Sequence, residues 1–169
     1  MTDISKLSTM DEVAAKLRYD VATGIFTWID SPGRKVGAGS IAGKVRVKDG
    51  YRIIKYKGRE FYAHRLAWFK VYGREVRQID HINCHRDDNR FENLREASPR
   101  QNRANQKRRS NNTSGFKGVH WSELHKKWRA RIKVDGRYKS LGYFDDPKNA
   151  FAAYMDAATA AHGPFARAK

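Results

Sequence analysis

Cysteine is almost missing from this chain: Cys84 stands alone among 169 residues. A single thiol excludes an internal disulfide framework and a zinc finger built on several thiolates. Long apolar runs are missing too, and none approaches the roughly 18 residues of a spanning helix. The opening Met-Thr-Asp-Ile-Ser-Lys has neither the basic nor the apolar region of a secretory signal. Together these absences predict a protein with no membrane partner, working in the cytoplasm, or in the host cell's cytoplasm for a phage gene. Acidic residues are also scarce, 18 Asp+Glu against 35 Lys+Arg, for a net charge of +17. The default partner of such a chain is a polyanion, most commonly nucleic acid. With 40% hydrophobic residues the chain is not disordered throughout, and its length suits one ordinary domain or two small ones with small cores.

Residues 1–45 read as a lead-in module. Met10, Val13, Ala14 and Leu17 have helical spacing, and Thr23-Gly24 turns the chain into the short apolar strand Ile25-Phe26-Thr27-Trp28. The glycine-rich stretch 31–43 ends in Gly43-Lys44 but is not a phosphate-binding P-loop. Ala38 stands where its first glycine is required, and Val45 where a magnesium-binding Ser or Thr belongs.

From Tyr51 a hairpin is expected, Tyr51–Tyr56 returning as Glu60–Ala63 through Lys57-Gly58-Arg59. A helix from His64 to Tyr72 follows, stopped by Gly73. His64 at its start fits a packing or capping role, or a contact near a cleaved phosphate.

The chemistry concentrates in residues 78–106. Gln78–Ile82 reads as a strand carrying Asp80-His81, the Asp- and Asn-rich stretch Cys84–Arg90 as a loop, and Leu94–Ala97 as the returning strand. Ser98-Pro99 then starts a helix as N-cap and first residue. Folding back in this way brings Asn102, in the helix's first turn, over Asp80, so that one oxygen from each shares a hard divalent cation. Mg²⁺, or Mn²⁺, suits such a site, one ion per active site, with water and substrate phosphate completing the shell. A carboxylate beside an imidazole, two downstream asparagines and a strongly basic chain read as a metal-dependent nuclease. Cys84-His85 suggests a further metal pair, set against an ordinary loop role, and Asn89 reads as a turn former.

Residues 51–106 resemble the phage-type HNH endonucleases in Asp80-His81, Asn93-Leu94 and Asn102. The stretches His64-Arg65-Leu66-Ala67-Trp68 and Asp88-Asn89-Arg90-Phe91-Glu92-Asn93-Leu94 also match. The resemblance implies a ββα-metal core in which Asp80 and Asn102 bind metal, His81 is the general base towards water, and Asn93 holds the histidine-bearing loop. Asn102 stands where other branches carry His, which favours a single oxygen-ligated ion over tight zinc binding.

Residues 103–113 are polar and basic, with Arg103, Lys107, Arg108 and Arg109, and serve either as solvated linker or as a track along phosphates. Lys127–Val134 then alternates without a break: Trp128, Ala130, Ile132 and Val134 on one face, Lys127, Arg129, Arg131 and Lys133 on the other. Asp135-Gly136 signals a two-residue hairpin that adds Tyr138 and Ser140 to the cationic face and leaves Lys139 on the apolar one. Asp146-Pro147 opens a helix closed by Gly163-Pro164. A three-stranded antiparallel sheet covered by one helix follows, with Trp128 in its core.

This segment resembles the APETALA-type (ethylene-response-factor) DNA-binding domain in Lys117-Gly118-Val119-His120-Trp121, Lys127–Lys133, Leu141-Gly142-Tyr143-Phe144-Asp145 and Ala150–Ala158. That family lays its sheet in the major groove, which implicates Lys117, His120, Arg129, Arg131, Lys133 and Tyr138 as DNA contacts. His120, Tyr138 and Ser140 depart from the plant pattern, so the target sequence does not carry over.

The expected fold is therefore α+β: a ββα-metal HNH nuclease core at 46–106 after the lead-in, a basic linker at 107–114, and an ERF-like domain at 115–169. The expected activity is metal-dependent hydrolysis of double-stranded DNA, of a homing or phage-encoded type, against two rivals. A regulator that binds DNA without cutting it has no use for intact Asp80, His81 and Asn102. An RNA-binding or ribosome-associated protein explains the charge but not their spacing.

Overall fold

A computed structural model describes residues 4–33, 35–106, 108 and 111–167, with side chains from Met10 onward. The chain divides into two compact units, Met1–Ala97 and Ser98–Lys169.

In the first unit, helix α1 (Ile4–Ala15) leads into the hairpin β1 (Leu17–Tyr19) and β2 (Phe26–Trp28), paired antiparallel with Leu17 opposite Trp28. Strands β3 (Lys44–Val45), β4 (Arg52–Tyr56) and β5 (Arg59–Tyr62) form a small antiparallel sheet. The tight turn from β4 to β5 uses Lys57 and Gly58 at φ 46° and 76°, the left-handed geometry that two-residue hairpins require. Helix α2 (Ala63–Tyr72) ends at Gly73, whose left-handed φ of 65° lets its N–H donate to the Phe69 carbonyl. Strand β6 (Ile79–His81) then pairs with β7 (Leu94–Glu96).

One core serves all of this. Val13, Leu17, Phe26, Trp28 and Ala42 from residues 1–45 pack with Ile54, Leu66, Trp68 and Leu94, so the lead-in segment shares its hydrophobic interior with the strands and helix that follow. Burying each large side chain such as Phe26 or Leu66 contributes about 1.5–3 kcal/mol relative to exposure.

The second unit opens with helix α3 (Pro99–Ala104) and its reciprocal cap: Ser98 Oγ accepts from Gln101 N at 3.2 Å, while Gln101 Oε1 accepts from Ser98 N at 2.8 Å. Strands β8 (Val119–Ser122), β9 (Lys127–Val134) and β10 (Arg137–Phe144) form an antiparallel sheet in the order β10-β9-β8. Helix α4 (Pro147–His162), capped by Asp146, brings Ala150, Tyr154 and Ala158 against Val119, Ala130 and Ile132. Gly118 is required there: at φ 77°, any Cβ would sit 2.1 Å from the Tyr154 ring. A register shift between Ser140 and Gly142 inserts Leu141, which joins the helix-facing core, while Lys139, opposite Ile132, is exposed.

Candidate active site and nucleic-acid interface

Strand β6 carries Asp80 and His81, only 4% and 5% exposed. The β6–β7 register sets Asp80 opposite Arg95, whose Nε and Nη2 both lie 2.8 Å from Oδ2. A largely buried pair of this kind is sensitive to losing one member, at a cost of about 3–5 kcal/mol, because the other charge stays uncompensated.

His81 sits in a cluster of rings. His64 from the start of α2 meets it edge-on at 5.2 Å between centroids, and Tyr51 lies 5.8 Å from His81 and 5.0 Å from His64. Burial pushes the His81 imidazole below its ordinary pKa, opposed by a hydrogen bond with Asn89 and by the Asp80 and Asp88 carboxylates. His64 goes further, to about 3, through burial and the nearby charges of His81 and Arg65. Both rings are therefore neutral at neutral pH, and a neutral imidazole keeps one acceptor nitrogen. His64 is thus a buried member of the cluster.

Between β6 and β7 the chain is laced by side-chain amides. Asn93 Oδ1 accepts from Asn83 N at 3.0 Å, and its Nδ2 donates to the Asp88 carbonyl at 2.8 Å. Asp88 in turn accepts from Asn83 Nδ2 at 2.6 Å and from the Arg90 guanidinium, which hold its carboxyl at about pKa 2. Cys84 is a left-handed turn residue at φ 59° whose N–H donates to the His81 carbonyl.

Asn89, read above as a turn former, has a larger part. It is 1% exposed, its Nδ2 donates to the Asp87 carbonyl at 2.9 Å, and its amide opposes the lowering of the His81 pKa. Tyr19 Oη donates to the Asn89 carbonyl at 2.7 Å, and Phe91 N donates to the Val21 carbonyl. Gly24, at φ 73°, lies so close that a Cβ would come within 2.4 Å of Arg90 N and Asn89 C. The β1–β2 hairpin therefore buttresses the histidine-bearing loop, a link across some seventy residues that no local motif announces. Arg86 was also missed: exposed, it stacks 5.0 Å from the Tyr51 ring at the edge of the cluster.

Among the described residues, no group of three or more His, Cys, Asp and Glu side chains is arranged to hold a metal ion. Cys84 and His85 therefore form no such cluster. The donors read from the sequence, one carboxylate and one amide carbonyl, suit a hard cation that takes most of its shell from water and phosphate. Asp80 belongs to the first unit and Asn102 to the second, on α3, where its N–H donates to the Ser98 carbonyl at 3.0 Å.

On the second unit's sheet, His120 pairs with Arg129, Ser140 with Arg131, and Tyr138 with Lys133, placing these residues on the face opposite α4. Arg131 lies 4.6 Å from the Tyr138 ring centre and Lys133 5.3 Å. Arg103, Arg108, Lys117, His120, Arg131, Lys133 and Tyr138, seven of the residues assigned to DNA, line one cavity of about 450 Å³. Arg129 lies on the same face against Tyr143, 5.8 Å away, outside that cavity. Lys107 and Arg109 lie outside the described residues. Burial and the charges of Arg131 and Arg129 hold the His120 pKa down, so His120 offers hydrogen bonds rather than a positive charge.

Comparison with known proteins bears on the first of these regions. Residues 61–104, from β5 through α3, match the model of a family described as HNH endonuclease. Protein 3.8 of Escherichia phage T7 is 39% identical over 59 residues, 35% of this chain and 49% of that relative, so the chain matches about half of the relative's length. No solved structure is significantly similar. No helix among the described residues is long and apolar enough to cross a membrane. An HNH endonuclease domain match at 61–104 points to a nuclease or DNA-binding role and a nucleic-acid substrate.

Proposed function

We propose that the protein is a divalent-metal-dependent DNA endonuclease whose reaction runs on Asp80, His81, Asn93 and Asn102. The observation that carries this reading is the buried Asp80-His81 pair, held under a loop braced by Asn93, inside the stretch that matches the HNH endonuclease family. Asp80 and Asn102 fit one Mg²⁺ or Mn²⁺ as oxygen donors, and such an ion supplies charge neutralisation at the phosphate and support for the departing oxygen. Neutral His81 takes the proton of the attacking water. Arg95 fixes the Asp80 carboxylate by its contacts to Oδ2. Asn93 keeps the loop that follows His81 from relaxing, and Asn89 orients the imidazole from inside that loop.

The β8–β10 sheet is the recognition element in this reading, with Lys117, His120, Arg129, Arg131, Lys133 and Tyr138 facing duplex DNA and Arg103, Lys107 and Arg108 along its phosphates. Support comes from the shared face of the sheet residues and the net charge of +17. The T7 relative supports a phage setting, and hence a host cell's cytoplasm as the place of action.

Supercoiled plasmid is expected to be nicked or linearised in Mg²⁺ and untouched in EDTA. Asp80→Asn, which keeps an acceptor for Arg95, is expected to abolish cleavage while duplex binding in a mobility shift persists. Cleavage at full rate in excess EDTA would overturn the reading.

A further inference from the structure

The ~450 Å³ cavity of the second unit does not have the form of a surface made only to enter a major groove. Arg103, Gln106, Arg108 and the stretch from Asn111 to Thr113 wall it on one side. Lys117 Nζ ties this wall down by donating to the Ala104 and Gln106 carbonyls at 2.6 and 2.8 Å. Asn112 Nδ2 donates to the Phe116 and Val119 carbonyls at 3.0 and 3.3 Å. The cavity lining includes Arg103, Arg108, Lys117, Arg131 and Lys133 and no carboxylate. Its volume is that of a small-ligand site, which typically runs roughly 300–1,000 Å³, so it has room for a nucleotide.

Tyr138 lines the same cavity and is 62% exposed, with Arg131 and Lys133 over its ring. Gln106 and Asn111 add amides able to donate to and accept from base edges. Cations along a cavity, an exposed aromatic ring and amides are the components of single-strand binding, in which phosphates are tracked by charge and bases stack on rings.

We propose that this cavity binds single-stranded DNA, taking one unstacked nucleotide with its base on Tyr138 and its flanking phosphates on Arg131, Lys133, Arg103 and Arg108. The inference rests on the reading of the second unit as a DNA-binding element and specifies the form of DNA this site takes. A nuclease with such a site would grip a strand already displaced from its duplex, or a nucleotide drawn out of it.

The test uses the full-length Asp80→Asn protein in EDTA, so that nothing is cut, with fluorescence anisotropy on oligothymidylate of roughly 15 nucleotides and on a duplex of the same length. That length is near the upper end of the ~4–16 nucleotides covered by one small binding fold. Oligothymidylate is expected to bind, and Tyr138→Ala to weaken it about five- to hundredfold, the range of one lost base–ring stack. Tyr138→Phe should restore that affinity, and the duplex, which keeps its bases stacked and can lose only a surface contact with Tyr138, should lose several-fold less than oligothymidylate. Duplex binding without oligothymidylate binding would overturn the single-strand site and leave the DNA-binding reading standing. Equal losses for the two DNAs in Tyr138→Ala would also overturn the single-strand site. Failure to bind either DNA would overturn both.

Discussion

Asp80, His81, His64 and Asn89 of the first unit are buried, and Asn93 and Asp88 lace the loop around them, whereas Lys133 and Tyr138 of the second unit are exposed and Arg129 and Arg131 half-exposed on one face of a sheet. The first arrangement fixes a few polar groups at low dielectric, where an imidazole stays neutral and each lost partner is costly. The second spreads charge over flexible stems in water, where single contacts count for little and their sum depends on salt. In the proposed function the first region positions and the second attracts, and substitutions should separate them.

The largest expected effect is at His81. His81→Ala should lower single-turnover nicking by about 10²–10⁴ while duplex affinity stays within about twofold. Nicking close to the wild-type rate would remove the first region's claim to the chemistry.

Glycines offer a sharper contrast, because both regions have one at positive φ. Gly24 (φ 73°) lies against the backbone of the loop that follows His81, and Gly136 (φ 79°) has nothing within 4 Å. Gly136→Ala should cost only the left-handed strain, on the order of 1 kcal/mol. Gly24→Ala should cost clearly more and slow nicking as well, since it must displace Asn89 and Arg90. Denaturant midpoints of the two variants decide it, and equal losses would mean the hairpin does not support the loop.

Acid should unfold the first unit by way of His64. In the unfolded chain a histidine titrates near 6.5, but folded His64 does so at about 3. Between these values the unfolded state binds the extra proton, so stability is complete above about pH 6.5 and falls as pH drops towards 3. His81, shifted in the same direction, adds to the loss. Urea midpoints from pH 7 to 4 should fall for the wild type and fall less for His64→Phe. Parallel profiles would place the acid sensitivity elsewhere.

The smallest effects belong to the sheet. Arg129→Ala and Arg131→Ala should each reduce the slope of log affinity against log salt for duplex by about 1 if they meet phosphates. If either reads a base, discrimination there should fall by about 1–3 kcal/mol instead. Unchanged slope and discrimination in both variants would make the face solvated surface.

Local elements were legible wherever a short signal carries its own physics. Ser98-Pro99 with Gln101 announces the capping box of α3, Asp135-Gly136 the β9–β10 turn, and the alternation in Lys127–Val134 sorts core from open face. Asp80, His81 and Asn93 stood out through the resemblance of residues 51–106 to the HNH endonucleases. Asn89 and His64 did not, since asparagine in a polar loop and histidine at a helix start are ordinary residues. Their weight comes from burial beside His81, which periodicity does not reveal.

By itself, then, the sequence determined the strands and helices, the basic character, and the order of a chemistry-bearing middle and a cationic alternating end, because these follow from spacing and composition along the chain. Only tertiary structure decided that residues 1–45 share the core of the first unit, that Tyr19 and Gly24 prop the loop at Asn89, and that Arg103, Gln106 and Arg108 come to line one cavity with Arg131, Lys133 and Tyr138. The reason is physical: each depends on a close approach between residues far apart in the chain, and such approaches are set by how surfaces fit together rather than by any local propensity.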